Sequence, residues 1–124
     1  MKSQNPVGWF DIPVADLERA KAFYGTVFQI ELVDLPVQWG KQALFPFDPS
    51  GANISGALVE VSDPRHGSNA TVVYFETADC EAEEARIVRA GGEVLRPKMA
   101  IGEFGFVSIF RDTEGNTVGL HSRR

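Results

Sequence analysis

One cysteine and two histidines are all that this chain offers of the residues that most often crosslink or hold metals. A lone Cys80 excludes an internal disulfide, so the expectation is a soluble protein of a reducing, cytoplasmic compartment. No apolar run approaches the ~20 residues of a membrane span. The opening stretch MKSQNPVGWF lacks the apolar core of a secretory leader. Lys and Arg number 12 against 17 Asp and Glu, for a net charge of −5, and the basic residues form no stripe. Neither nucleic acid nor a membrane is therefore an expected partner. What is present, 124 residues with 44% hydrophobic and 23% charged, suits one globular domain.

Two helices announce themselves by their starts. Asp16 is a good N-cap, and Leu17, Ala20, Tyr24, Val27 and Phe28 follow at spacings of three and four, predicting an amphipathic helix to about Phe28. Asp79 opens a second helix, with Glu81, Glu83 and Glu84 in the first turn, where the helix dipole favours negative charge. Gly91-Gly92 stops it. Predicted strands cover 8–14, 31–35, 42–47, 57–61, 71–77, 93–95, 104–110 and 117–121. Asp63–Asn69 has the composition of a linker. The order is strand, helix and three strands, twice, with a first module at about 5–62 and a second at about 68–124. The two N-caps lie 63 residues apart, and the same shift pairs Ala15 with Ala78, Leu32 with Leu95, Phe47 with Phe110, Asn53 with Asn116 and Gly56 with Gly119 without a gap.

Asp11 interrupts an apolar run. Period-two alternation sends Phe10, Ile12 and Val14 to one face and Trp9 and Asp11 to the other. An indole beside a carboxylate has the character of a pocket wall.

The strings IPVADLERAKAFYGTVF, ISGALVEV, DCEAEEARIVRAGGEVL and above all IGEFGFVSIFRDTEGNTVGLHS carry a resemblance to the vicinal oxygen chelate superfamily. It groups glyoxalases, bleomycin-resistance proteins and extradiol dioxygenases. The resemblance implies an α+β fold of two βαβββ modules in a curved mixed sheet, with the site on the concave face and helices outside. It also implies homodimers, to which Phe23, Trp39, Phe45 and Phe47 are available. Metal-dependent members draw four ligands from equivalent strands. The matching positions here are Trp9, Gly56, Val72 and Gly119, none of which has a side chain to hold a divalent ion. No metal and no cofactor are expected.

On that frame the cavity walls are Trp9, Leu58, Val72 and Tyr74, with Gly119 leaving room. The polar candidates are Asp11, Glu60, Glu76 and His121. His121 with Asp11 or Glu76 would make an acid/base pair, or His121 simply ends a strand in solvent. The loop LRPKMAIGEFGF is a candidate rim, and its Lys98 meets an anionic ligand or solvent. Three functions stand open. One is a metal-free lyase or isomerase using Asp11, Glu76 or His121. Another is a non-catalytic drug- or metabolite-binding protein of the bleomycin-resistance kind. The third is a metal enzyme with shifted ligands such as His121, Glu60 and Glu76.

Overall fold

The computed structural model describes residues 7, 9–48, 50, 55–62 and 71–124, with Trp39 described by its backbone alone. The expected linker Asp63–Asn69, the strand start at Gly8 and the Asn53 pairing lie outside the described residues.

The order is β1 (Phe10–Val14), α1 (Leu17–Phe28), β2 (Val33–Asp34), β3 (Gln42–Leu44), β4 (Gly56–Glu60), β5 (Tyr74–Glu76), α2 (Cys80–Arg89), β6 (Glu93–Ala100), β7 (Phe106–Arg111) and β8 (Thr117–Ser122). These form two four-stranded mixed sheets, β1-β4-β3-β2 and β5-β8-β7-β6. In each, the first strand is parallel to the last and lies at the edge. The α+β class and the doubled βαβββ order are as expected. β6 departs from expectation by running through to Ala100, because its ladder with β7 continues past two irregularities. It thereby absorbs part of a segment read as loop.

Both helices start at the predicted caps. The Asp16 carboxylate accepts from Arg19 N at 3.0 Å, and that of Asp79 from Glu81 N at 3.0 Å. α1 buries Leu17, Ala20, Phe23, Tyr24 and Val27. Phe23 and Phe45, offered above to a dimer contact, are core residues at 1% and 5% exposure. They belong to one core that draws on both modules: Ile12, Leu58 and Ala43 from the first sheet, Phe110, Val118 and Leu120 from the second, with α1 and α2 in contact. Each large side chain so buried contributes roughly 1.5–3 kcal/mol. Arg86 of α2 donates its Nε to Val27 O in the last turn of α1 at 2.6 Å, occupying a carbonyl that a helix end leaves unpaired.

The join between modules is polar and buried. In the β7–β8 turn, Asp112 Oδ1 accepts from the main-chain N–H groups of Glu114 and Asn116, both at 2.8 Å. Its Oδ2 accepts from Tyr24 Oη at 2.7 Å and from Asn116 Nδ2 at 3.1 Å. The same Asn116 amide donates to Pro13 O at 2.9 Å. Glu114 Oε1 accepts from Ala15 N at 2.9 Å and Asp16 N at 3.0 Å, and Arg19 donates Nε to its Oε2 at 2.6 Å and Nη2 to its Oε1 at 2.9 Å. A turn of the second module thus holds the β1–α1 corner of the first. Burial alone would raise the Glu114 pKa; the bonds from Arg19, Asp16 and Ala15 outweigh it, and the net direction is down.

The modules are not related by one constant shift. Phe10 faces Gly56 in the first, whereas Tyr74 faces Gly119 in the second. Leu58 and Leu120, opposite Ile12 and Phe75, are therefore the equivalent pair, and the gapless pairing of Gly56 with Gly119 is one residue out. The helix starts bear this out. Glu60 Oε1 accepts from Leu17 N at 2.8 Å, and Ser122 Oγ accepts from Cys80 N at 3.3 Å.

Glu114→Ala should lower unfolding free energy by about 3 kcal/mol, since it strands two N–H groups and a half-exposed arginine. Arg19→Ala should cost under about 1 kcal/mol, because its guanidinium is largely solvated. Denaturant titration ranks the two, and equal losses would show that the N–H bonds are not what matters. Because the folded Glu114 pKa is lowered, its contribution is present above the unfolded value and is lost as pH falls through the folded one. The Glu114→Ala deficit should shrink on the acid limb.

Candidate functional site

Each sheet turns one face to the shared core and the other away. On the first sheet the outward row is Asp11, Ala57, Leu44 and Val33, beside Pro13, Val59 and Gln42. Trp9 stands just before β1, 49% exposed, and donates Nε1 to Asp11 Oδ1 at 3.2 Å. On the second sheet the outward rows are Tyr74, Gly119, Ile109 and Arg96, then Glu76, His121, Val107 and Met99. These make a groove of about 600 Å³ lined by Tyr74, Arg96, Met99, Ile101, Phe104, Val107, Ile109 and His121. Its size and mostly apolar wall suit a small-molecule site.

His121 is the groove's titrating group. Its Nδ1 lies 2.7 Å from Glu76 Oε1 and its Nε2 lies 2.6 Å from Phe104 O. Both partners accept, so the arrangement is satisfied only by an imidazolium that donates twice. The carbonyl of Phe104 and then the carboxylate of Glu76 raise the pKa above the usual imidazole range. No ring nitrogen is left to take a proton from a substrate. The ring instead ties the 3-10 turn Gly102–Phe104, which carries the exposed Phe104 ring at the rim, to β5 and β8.

Several expected site residues stand elsewhere. Leu58, expected in the cavity wall, is fully buried in the core opposite Ile12, because β4 pairs with β1 in the register that gives it the helix-covered face. Glu60 is also on the helix side, bonded to Leu17 N and 3.6 Å from Lys41 Nζ. It cannot join Glu76 and His121 in a ligand set. Val72 is half-buried before β5. The groove that contains Tyr74 and His121 includes neither Trp9 nor Asp11, and His121 pairs with Glu76, not Asp11. Nor do the two glycines leave open room. The Phe10 ring lies over Gly56 and the Tyr74 ring over Gly119, where an added methyl group would overlap it. Lys98 Nζ bonds Asp79 at 2.9 Å and sits 4.7 Å from the Phe106 ring centre. Cys80 is buried against Ser122 Oγ at 3.2 Å, and burial, ahead of other influences, raises its pKa.

The expected rim segment, residues 95–106, supplies Arg96, Met99, Ile101 and Phe104 to the groove; Val107 and Ile109 are the lining residues that the sequence did not yield. Alternation along β7 was available as a signal, but its polarity is inverted. Ser108 faces the core, donating to Arg96 O at 3.1 Å, while Val107 and Ile109 face outward.

The family model for the Glyoxalase/Bleomycin resistance protein/Dioxygenase superfamily matches residues 7–120. The chain belongs to this superfamily. CFP32 of Mycobacterium bovis, whose name marks it as a glyoxylase candidate, is 28% identical over 118 residues, covering 94% of this chain and 45% of CFP32. The chain thus spans about half the length of the curated relatives it matches. A glyoxalase/bleomycin resistance protein from Albidiferax ferrireducens has the same fold, with a TM-score of 0.75 at 20% identity, covering 96% of this chain and 100% of that one. The fosfomycin resistance protein FosX of Listeria monocytogenes gives a TM-score of 0.71 at 19% identity, covering 98% and 94%.

Superfamily membership raises the question of a divalent metal, and the donors present do not fit one. Among the described residues no three of His, Cys, Asp and Glu converge. The one histidine on the groove has both nitrogens committed.

A raised folded pKa means that the His121 contribution to stability is whole below the unfolded imidazole value and disappears as pH rises through the folded one. The stability gap between wild type and His121→Gln should be widest below the unfolded imidazole value of about 6.5 and close as pH rises above it. A gap independent of pH in denaturant titrations would mean that the ring is not charged. Gly119→Ala should cost about 1–3 kcal/mol by displacing the Tyr74 ring, seen as a shift of the Tyr74 ring proton resonances.

Proposed function

We propose that this superfamily member binds a small, largely apolar organic molecule in the groove on the outer face of the β5-β8-β7-β6 sheet, without a divalent metal. The supporting observation is the groove itself: a floor of Val107 and Ile109, a Tyr74 ring laid flat over Gly119, and Phe104 at a rim tethered by His121. Stacking on Tyr74 and burial on the floor supply affinity, while Arg96 and the His121–Glu76 pair orient polar groups. A lyase- or isomerase-like variant of the reading uses the same pair as a general acid only once the Nε2–H exchanges Phe104 O for the substrate.

Trp9 and Asp11 enter this proposal through a second copy. Their face is open, and β1 and β5 are edge strands paired on one side only among the described residues. We infer a homodimer in which that face closes the partner's groove.

The tests are direct. With 1-anilinonaphthalene-8-sulfonate as the probe, Val107→Glu should weaken binding roughly tenfold or more, since it places a carboxylate on an apolar floor. Unchanged affinity would remove the groove from the reading. Elemental analysis of untagged protein should find well under one Zn, Ni, Fe or Mn per chain; a stoichiometric ion would overturn the metal-free assignment. Light scattering should give twice the 13.6 kDa chain mass, and a monomer would exclude Trp9 and Asp11 from the site.

A further inference from the structure

A second cavity, of about 720 Å³, lies at the seam between the modules on the other side of β5. Its wall is aromatic. Phe75 is the hub, with ring centres 4.7 Å from Phe28, 5.2 Å from Phe45 and 5.6 Å from Phe10. Phe10, Phe28 and Phe75 are only half-buried, whereas Phe23 and Phe110 in the core are 1% and 0% exposed. Four rings converge and leave faces uncovered, in a space within the range of ligand cavities.

The polar groups of this cavity are of one kind. Glu83, 7% exposed, is fixed by Thr77 Oγ1 and by Arg86 Nη2 at 2.8 Å. Glu76 stands further along β5, and among the described residues no Lys or Arg lines the space. Ser55, the other hydroxyl, is turned to the carbonyls of Phe45 and Pro46. A carboxylate keeps acceptor capacity beyond two bonds, so the wall accepts hydrogen bonds, and with Glu83 already paired to Arg86 it offers an anion no unpaired described cation. Tyr74 lines both this cavity and the groove and forms the partition between them.

We propose that the seam cavity is a second binding site, for a flat aromatic molecule that carries a hydrogen-bond donor, such as a phenol or an aromatic amine, and no negative charge. The molecule stacks among Phe10, Phe28 and Phe75 and directs its donor to the Glu83 end. This site shares Tyr74 with the groove, and Glu76 with its His121 pair, but none of the groove floor, so the two readings are tested separately.

The test uses 2-naphthol, with 2-naphthoate as the anionic counterpart, on the whole chain. In amide-correlation spectra, 2-naphthol should bind in the submillimolar range and shift Phe28, Val73, Phe75 and Thr77, leaving Val107 and Ile109 still. 2-Naphthoate should bind roughly tenfold or more weakly, since its charge is desolvated among aromatic rings and the described lining offers no cation to pair with it. Ala78 is exposed at the cavity's edge, so Ala78→Phe should fill the mouth and abolish the shifts, with Val107→Glu leaving them intact. Shifts confined to Val107 and Ile109, equal binding of the two probes, or no shifts at millimolar 2-naphthol would each overturn the proposal. The wild-type spectra decide the matter even if Ala78→Phe does not fold.

Discussion

The Glu114 carboxylate, whose side chain is wholly buried, is what the two modules share. Removing such a group from water costs several kcal/mol unless its lone pairs are met. Here they are met by N–H groups at the very start of the other module's helix, where the dipole also favours a negative charge. Asp112 closes the same corner through Tyr24, whose phenol is fully buried and whose pKa burial and Asp112 push up. The D-T-E-G-N string that marks the superfamily resemblance is in this chain a clamp between modules. It fixes one core between the two sheets, and so it determines which faces remain for ligands.

Within that frame the modules are copies with a one-residue difference in the span between their parallel strands. Side chains of different chemistry fill one role: Glu60 bonds the first N–H of α1 and Ser122 that of α2. The extra residue before β4 turns Leu58 to the core beside Ile12, and its counterpart beside Phe75 is Leu120 rather than His121. A slip of one residue exchanges the faces of a strand. That is why one module presents a histidine outward on its last strand and the other presents Val59.

The donor set follows from the same placement. Glycines that could have left a metal's room are instead seats for Phe10 and Tyr74. The histidine on the groove has both ring nitrogens against acceptors. What the outer face of the second sheet retains is shape and apolar surface.

Much of the fold was legible in the chain: both N-caps, the apolar stripe of α1, the doubled element order and the outward direction of Trp9, Asp11, Tyr74 and Glu76. These depend on local rules, namely capping and the periods of helix and strand, that act over a few residues. The register of β4, the core side of Ser108 and the burial of Glu83 were not legible, since each is decided by a partner far along the chain: β1 for Leu58, Arg96 O for Ser108, Arg86 and Thr77 for Glu83. Which outward residues share a cavity was likewise beyond the sequence. Alternation says only that a side chain leaves the core, and the packing of one sheet against the other decides which space it enters.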